Sequence, residues 1–449
     1  MTTPSSLLRR VAALAAALAL AAGCTATRNG PLPAVAMPSN WASPVAPAAS
    51  TMAADWWRSF GDPVLDGLID DALRTNGDLA IAAIRVYRAR LQAGLVDTNL
   101  TPNMTLGASG SVSRMLDTHQ TSRASGVTGT LSYELDLWGR LAALRDAARW
   151  EADATEADRE AARLSLIGTT AALYWQIGYL NRQIALGDAN IAYAARTVAL
   201  VHSRHTAGAT SGLDLAQAEH SLAAQRAAQT QLLLQRTKNR HALAILFDRP
   251  PQQLATEPPT LPDGPLPAVA TGLPANLLGR RPDLRAAEFR LRETLASVDV
   301  TRTSFYPAFT LTGNVGTSST SLERVLANPV GTLGLGLALP FIQWNTMQLQ
   351  IKVSQTQYQE AVFGFRQRLY GALAEVENAL SARVQLEREA EQRAETLTST
   401  RFAAGATDVQ PWLDQQQRLR DAQSADALNR PNRLNNQMTL YRALGGGVQ

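Results

Sequence analysis

The sequence predicts a mostly helical chain that also carries a membrane β-barrel, built as two tandem copies of a helix, strand, strand, long helix and returning helix. Three observations carry this. At one constant offset Asp283 pairs with Asp78, Leu284 with Leu79, Ala287 with Ala82, Arg290 with Arg85, Pro307 with Pro102, Thr310 with Thr105 and Leu311 with Leu106. Ungapped identities that end in the same helix-to-strand switch point to an internal duplication. Short segments after each of these prolines alternate apolar and polar residues, the period of a strand with two unlike faces. Long proline-free segments then carry apolar residues at alternating spacings of four and three, the seam of helices packed lengthwise.

Composition sets the outer limits. With 449 residues and a formal net charge of +4, the chain lacks the basic clusters interleaved with aromatics that bind nucleic acid. Arg9 and Arg10 precede the apolar run from Val11 to Ala22, too short for a stable bilayer-spanning helix and ending in small residues before Cys24, the only cysteine. Residues 1–23 therefore read as a signal peptide, and a disulfide within the chain is excluded. Residues 24–54 are rich in Pro, Ala and Ser and read as an extended tether.

The first repeat is expected over 55–249. Trp56, Trp57 and Phe60 followed by Gly61-Asp62-Pro63 form an anchoring turn, with Asp62 as helix cap and Pro63 in the first helical turn. One helix is expected from there to about Asn99. Strands follow near 103–113, with Met104, Leu106, Ala108, Gly110 and Val112 on one face, and near 127–137, with Leu131, Tyr133, Leu135 and Leu137 on one face. Residues 116–125 between them read as a polar loop. Arg140 to about His202 is a long helix whose seam runs Leu166, Thr170, Leu173, Ile177, Leu180, Ile184, Gly187, Ile191. At 1.5 Å per residue, about 60 helical residues extend ~90 Å. Ala207-Gly208-Ala209-Thr210 breaks it, and a return helix from Ser211 stops before Arg249-Pro250.

A proline-rich connector, 250–274, leads to the second repeat over 275–449. A helix beginning at Pro282 ends near Ser304, because Pro307 forbids helix and pushes Tyr306 to extended geometry. Strands are expected near 308–317 and 331–341, then a long helix from Thr346 to about Phe402 with Leu369, Leu373, Val376, Leu380 and Val384 on one face. Ala404-Gly405-Ala406-Thr407 repeats the earlier break. In the last helix Pro431 should kink or break the backbone, at a cost of ~3 kcal/mol.

Four strands cannot close a barrel, and membranes do not tolerate open sheet edges. Single-chain bacterial barrels begin at about eight strands. A dimer would give an eight-stranded barrel filled by side chains, whereas a trimer gives twelve strands and a lumen. Glu134 and Asp136, on a polar strand face, are candidate lumen residues. His202 and His205, with His220 nearby, lack a third ligand at metal-site spacing, so no metal or other cofactor is expected. No G-x-S-x-G, P-loop or Rossmann glycine pattern is present, so no enzyme is expected.

The segment LAAGC from Leu20 to Cys24, the run Arg281-Pro282-Asp283-Leu284-Arg285-Ala286-Ala287-Glu288, Phe305-Tyr306-Pro307, both Ala-Gly-Ala-Thr turns and Tyr441-Arg442-Ala443-Leu444-Gly445-Gly446-Gly447 resemble the TolC/OprM-type outer membrane factors, in particular the lipoprotein branch labelled NodT. The resemblance covers essentially the whole chain after the signal segment. It implies a trimeric, 12-stranded outer-membrane barrel that continues into a long periplasmic α-helical coiled-coil barrel, the exit duct of a tripartite efflux pump. It implies a covalent lipid on Cys24, with Thr25 after it directing the protein to the outer membrane. Implied partners are a periplasmic adaptor protein and an inner-membrane pump, first of the RND type, with ABC and MFS pumps as alternatives. Arg204, Gly208, Thr210, Arg401, Gly405 and Thr407 would form the periplasmic tip where adaptors dock. Asp408, Gln410 and Asp414 would form the gate. Three symmetry copies of one aspartate repel each other, which makes such a closure sensitive to pH and ions. A type I protein-secretion duct and a non-conducting structural outer-membrane lipoprotein are the alternative readings.

Overall fold

The computed structural model describes residues 35–44, 53–269, 271–272, 274–320, 324, 326–327, 329–403 and 409–447, with backbone alone at 394–403, 409–417, 420, 421 and 426. The helices are α1 (Pro63–Thr75), α2 (Gly77–Asp97), α3 (Arg140–Thr206), α4 (Gly212–Leu246), α5 (Leu277–Arg280), α6 (Pro282–Thr303), α7 (Trp344–Ala403) and α8 (Val409–Ala443). The strands are β1 (Asn103–Arg114), β2 (Thr121–Leu135), β3 (Ala308–Ser319) and β4 (Pro329–Ala338). The chain forms two compact units, one chiefly of Ile84–Glu156 and Ala286–Gln367, the other of Ala36–Ala83, Ala157–Arg285 and Arg368–Gln449.

In the first unit the four strands make one antiparallel sheet in sequence order, β1-β2-β3-β4. The register places Met104 opposite Leu131, Tyr133 opposite Leu311 and Leu311 opposite Leu335, so apolar residues fall on one continuous face. Thr105 opposite Thr130, Ser132 opposite Thr312 and Thr312 opposite Gly334 run along the other. A one-residue slip would exchange the faces, so the alternation fixes the register. Every residue of the edge strands β1 and β4 is exposed, Leu106 at 82% and Leu333 at 81%. Large apolar side chains turned outward along a whole sheet face are the opposite of what water selects.

The second unit is helical. Its anchor is the aromatic group foreseen at the first turn. Trp56 stacks on Tyr441 at 4.7 Å, and Phe60 lies 5.1 Å from Trp175. Asp62 caps α1 by accepting from the Val64 and Leu65 N–H groups, and its second oxygen accepts from the Tyr174 hydroxyl at 2.9 Å. Burial, and then that acceptor, hold the Tyr174 phenol protonated well above the usual tyrosine range. Along α3, Leu166, Thr170, Ile177, Leu180 and Ile184 of the expected seam are buried while Leu173, Gly187 and Ile191 are half-buried; along α7, Leu369, Val376 and Leu380 are buried and Leu373 and Val384 half-buried.

Several boundaries differ from expectation. The single helix to Asn99 is two, because Asn76 takes an extended ψ of 124° and ends α1, while its side-chain oxygen accepts from the Leu79 N–H and starts α2. Strand β2 begins at Thr121, inside the presumed polar loop, since Thr121–Ala124 pairs with Ser111–Arg114. It stops at Leu135, because Asp136 turns to the next helix. Strand β4 stops at Ala338, and Pro340–Ile342 forms a 3-10 turn; Pro340 has no N–H to continue a ladder. Pro431 does not break α8. It is buried, and its neighbours tie the helix down: Asn429 donates to the Leu386 carbonyl at 3.1 Å, and Arg430 donates to the Pro262 carbonyl at 2.7 Å.

Candidate functional site

Where strand passes to helix in the first unit, a few polar contacts replace the ladder. Glu134 accepts from Arg140 through both oxygens, at 2.7 and 2.8 Å. Asp136 accepts from the Leu141 and Ala142 N–H groups at 3.0 and 2.9 Å, which satisfies the otherwise unpaired first turn of α3 and suits the helix dipole. Gly139, at φ 74°, makes the reversal. These two acids are the lumen candidates of the sequence, and both remain part-exposed beside these contacts. Asp136 lies beyond the strand and works as a helix cap, and Glu134 is half of an ion pair at the end of β2. Beside them the Trp138 indole donates to the Pro307 carbonyl at 2.7 Å and meets Tyr306 edge-on at 5.4 Å. Pro307, just before β3, is thereby pinned to the turn that ends β2.

The second unit repeats one device twice. Arg281 ends α5 with ψ 118°, and its buried guanidinium donates to both Asp283 oxygens at 3.0 and 2.7 Å, to Glu375 at 2.8 Å and to the Ala443 carbonyl at 3.2 Å. The last bond holds the end of α8. At the equivalent position of the first repeat stands Asn76, whose amide donates to the Leu246 carbonyl at the end of α4 at 2.9 Å. Each repeat therefore uses the residue just before its second helix to grip the end of its own hairpin. Burial pushes the Asp283 carboxyl up, but the Arg281 hydrogen bonds and charge outweigh it and hold it below the usual carboxylate range. Sequence reading found the Arg-Pro-Asp run but missed Asn76. The signal was available, since the offset that aligns Asp283 with Asp78 also sets Asn76 under Arg281.

At the first hairpin end Gly208, at φ 73°, donates to the His205 carbonyl at 2.9 Å, and Ala209 donates to the Arg204 carbonyl at 2.8 Å. This is the left-handed turn that glycine permits after a helix. Ser211 and Asp214 then start α4 with a reciprocal capping box, and the hydrogen bonds from Ser211 draw the Asp214 carboxyl below its usual range. Arg204 is exposed, and the Thr210 hydroxyl is enclosed. At the second hairpin end Gly405, Thr407 and Asp408 lie outside the described residues. The backbones of Arg401, Gln410 and Asp414 are helical, and their side chains lie outside the described set. Among the described residues no group of three or more potential ligands could hold a metal ion.

A four-stranded sheet with one continuous apolar face, joined to long helices, leaves both of its edge strands unpaired among the described residues. The chain belongs to the outer membrane efflux protein family, whose model matches residues 68–247 and 273–446. Over 454 residues it is 33% identical to the pyoverdine export outer membrane protein OpmQ of Pseudomonas putida, covering 96% of each chain. It is 28% identical to the toluene efflux pump outer membrane protein TtgC of the same species, over 95% of this chain and 93% of the relative. The fold matches the outer membrane channel MtrE of Neisseria gonorrhoeae in its open state, with a TM-score of 0.82, 29% identity and coverage of 94% and 98%. It matches the outer-membrane channel OprN with a TM-score of 0.80, 26% identity and coverage of 93% and 99%. The protein is an outer-membrane efflux channel of the type that serves tripartite pumps, with a large periplasmic portion.

Proposed function

We propose that three copies of this chain close one twelve-stranded barrel and that the assembly passively conducts small toxic molecules from a periplasmic adaptor and an inner-membrane pump to the exterior. The observation that carries this is the open four-stranded sheet with its continuous apolar face. Pairing β1 of one copy with β4 of the next removes both edges, as a bilayer requires. Helix α2 runs into β1 and helix α7 follows β4, and both carry exposed apolar residues. Ile84, Tyr87, Leu91 and Leu95 are 52–68% exposed on α2, and Leu349, Val353 and Phe363 are 55–64% exposed on α7. A head-to-tail contact that buries one stripe against the other continues the strand pairing into the helices, and a ring of such contacts is a closed assembly.

The names of the relatives, exporters of pyoverdine and toluene, support small organic molecules as cargo. Cys24 carries the lipid, the turns at Gly208 and Gly405 form the adaptor-docking tip with Arg204, Thr210, Arg401 and Thr407, and Asp408, Gln410 and Asp414 stand at the gate. An RND pump is the first partner to test, with ABC and MFS pumps as alternatives. A relative 28% identical is named toxin and drug export protein A of Aggregatibacter actinomycetemcomitans, which supports cargo beyond drugs; a type I protein-secretion duct is the second reading.

Planar-bilayer recording on the purified protein, with its mass measured by light scattering, is the direct test. Stepwise conductance from a trimer is expected, larger when Asp408 and Asp414 are changed to Ala. A pure trimer that never conducts, even with both changes, would sink the channel reading. Deleting the gene and measuring drug and solvent resistance beside protein export separates the two cargo classes.

A further inference from the structure

The far end of the sheet, away from the helices that join it near Asn103, Leu135, Ala308 and Ala338, carries charge on the face that is otherwise apolar. Across the hairpin of β1 and β2 the register sets Ala108 opposite Val127, Val112 opposite Arg123 and Arg114 opposite Thr121, all on the side of Met104 and Leu131. The other side is marked by the Ser113 and Ser122 hydroxyls, which meet across it at 2.8 Å. Arg114 and Arg123 therefore continue the apolar face, and both are exposed.

Neither guanidinium has a partner among the described residues. From Asn103 to Tyr133 the only acid is Asp117, at the hairpin turn, and its carboxylate accepts from the Thr118 N–H at 2.9 Å. The two arginines are diagonal neighbours on adjacent strands, a relation that sets Cβ atoms about 7 Å apart. Two like charges held that close repel each other unless an anion lies between them.

Their level on the sheet gives the pair a use. At ~3.4 Å per residue and a tilt of about 40°, the strand rises ~26 Å from Met104 to Arg114, the height of the apolar band of an outer-membrane barrel. Arginines at that rim stand where lipid chains end and head groups begin, and their long stems carry the charge into the polar layer. The helix end of the same face carries aromatics instead, Tyr133 opposite Leu311 and Phe309 opposite Leu135. Aromatic side chains settle at either membrane interface, but from Val112 to Ala124 there is no Phe, Trp or Tyr. Cations in that place select anionic head groups, and a guanidinium fork matches two phosphate oxygens at once.

We propose that Arg114 and Arg123 of each copy together bind a phosphate on the head group of an outer-leaflet lipid, whose acyl chains lie along Val112, Leu106 and Leu131. Such a site exists only if the sheet stands in the outer membrane as part of the closed barrel proposed above, and its partner is independent of the cargo. Three copies give three positions around the rim. Arginines that were merely solvated at a hairpin end would show no preference among lipids.

The test uses the assembled, detergent-solubilised protein and counts retained lipid by native mass spectrometry. The probes are lipid A with both phosphates, the same lipid with its phosphates removed, and inorganic phosphate. Saturable binding of up to three phosphorylated lipids per trimer is expected, at least tenfold weaker for the dephosphorylated lipid and in the double variant Arg114→Gln, Arg123→Gln. Lysine at both positions keeps the charge without the fork and should recover only part. If the double variant does not assemble, each single Gln variant, expected to bind at least threefold more weakly, carries the comparison. Undiminished binding in the Gln variants, equal binding of the dephosphorylated lipid, or inorganic phosphate bound as tightly as the lipid overturns the proposal. A trimer that conducts but retains no lipid overturns it too and leaves the export reading standing, whereas lipid binding without conductance counts against the export reading alone.

Discussion

Changing Arg281 to Ala should loosen the end of the last helix more than any other single polar change in the helical unit. Arg281 is 7% exposed, and its guanidinium serves two carboxylates and one carbonyl. Breaking a fully buried ion pair costs about 3–5 kcal/mol. Here Asp283 and Glu375 keep 47% and 59% of their side chains in solvent, so water recovers part of that. What remains is of the order of a charged hydrogen bond and one orphaned helix carbonyl, about 2 kcal/mol. Hydrogen exchange on the assembled protein reads this locally, at the amides of Leu444 and Gly446, which donate to the Leu440 and Tyr441 carbonyls. About 2 kcal/mol corresponds to roughly thirtyfold faster exchange where local opening governs the rate. Arg281→Lys restores the charge but not the fork and should recover only part. If Arg281→Ala does not assemble, the lysine variant carries the comparison. Unchanged exchange at both amides would refute the idea that Arg281 holds this end. The pH dependence follows in sign. Asp283 titrates below its unfolded value, so its contribution is complete above about pH 4 and is lost as pH falls through the depressed folded value.

Asn76→Ala removes both a helix start and the bond to the Leu246 carbonyl, and should cost about 1–2 kcal/mol, read as faster exchange at the end of α4 rather than α8. Asp136→Ala should cost about 1 kcal/mol through the lost cap, with Asn retaining most of it; equal exchange at Leu141 and Ala142 in wild type and the Ala variant would count against the cap. Gly187→Ala drives a methyl into the Gln229 amide and should lower the unfolding midpoint by an amount corresponding to about 1–3 kcal/mol, whereas the unconstrained Gly94→Ala should be neutral or mildly stabilising. Gly208→Ala should cost about 1 kcal/mol at the first hairpin end, because its φ of 73° strains any side chain.

Most of the fold was legible in the sequence because its signals are periodic and local. Alternation in β1 and β4, the seam of α3, and the prolines at 102 and 307 each act over a few residues, and duplication let each half check the other. Boundaries were less legible where a side chain competes with the backbone. Asn76 splits what propensity would continue as one helix, and Thr121–Ala124 joins a ladder only because Ser111–Arg114 lies opposite. The acids Glu134 and Asp136 show the same limit. Glu134 stands on β2 as its type and spacing suggest, while its bond to Arg140 and the cap that Asp136 gives α3 are contacts that type and spacing alone do not show.

By itself the sequence determined that four amphipathic strands exist, that long helices follow them, and that the chain cannot shield its own sheet edges. Those facts follow from residue type and period, which do not depend on what lies across space. Only the tertiary structure decided the strand order and register, the matched grips of Asn76 and Arg281 on their hairpin ends, and the setting of Arg114 beside Arg123 on the apolar face of the sheet. Partners such as Arg281 and Ala443, far apart along the chain and 3.2 Å apart in space, leave no local pattern to read, because their pairing is created by packing.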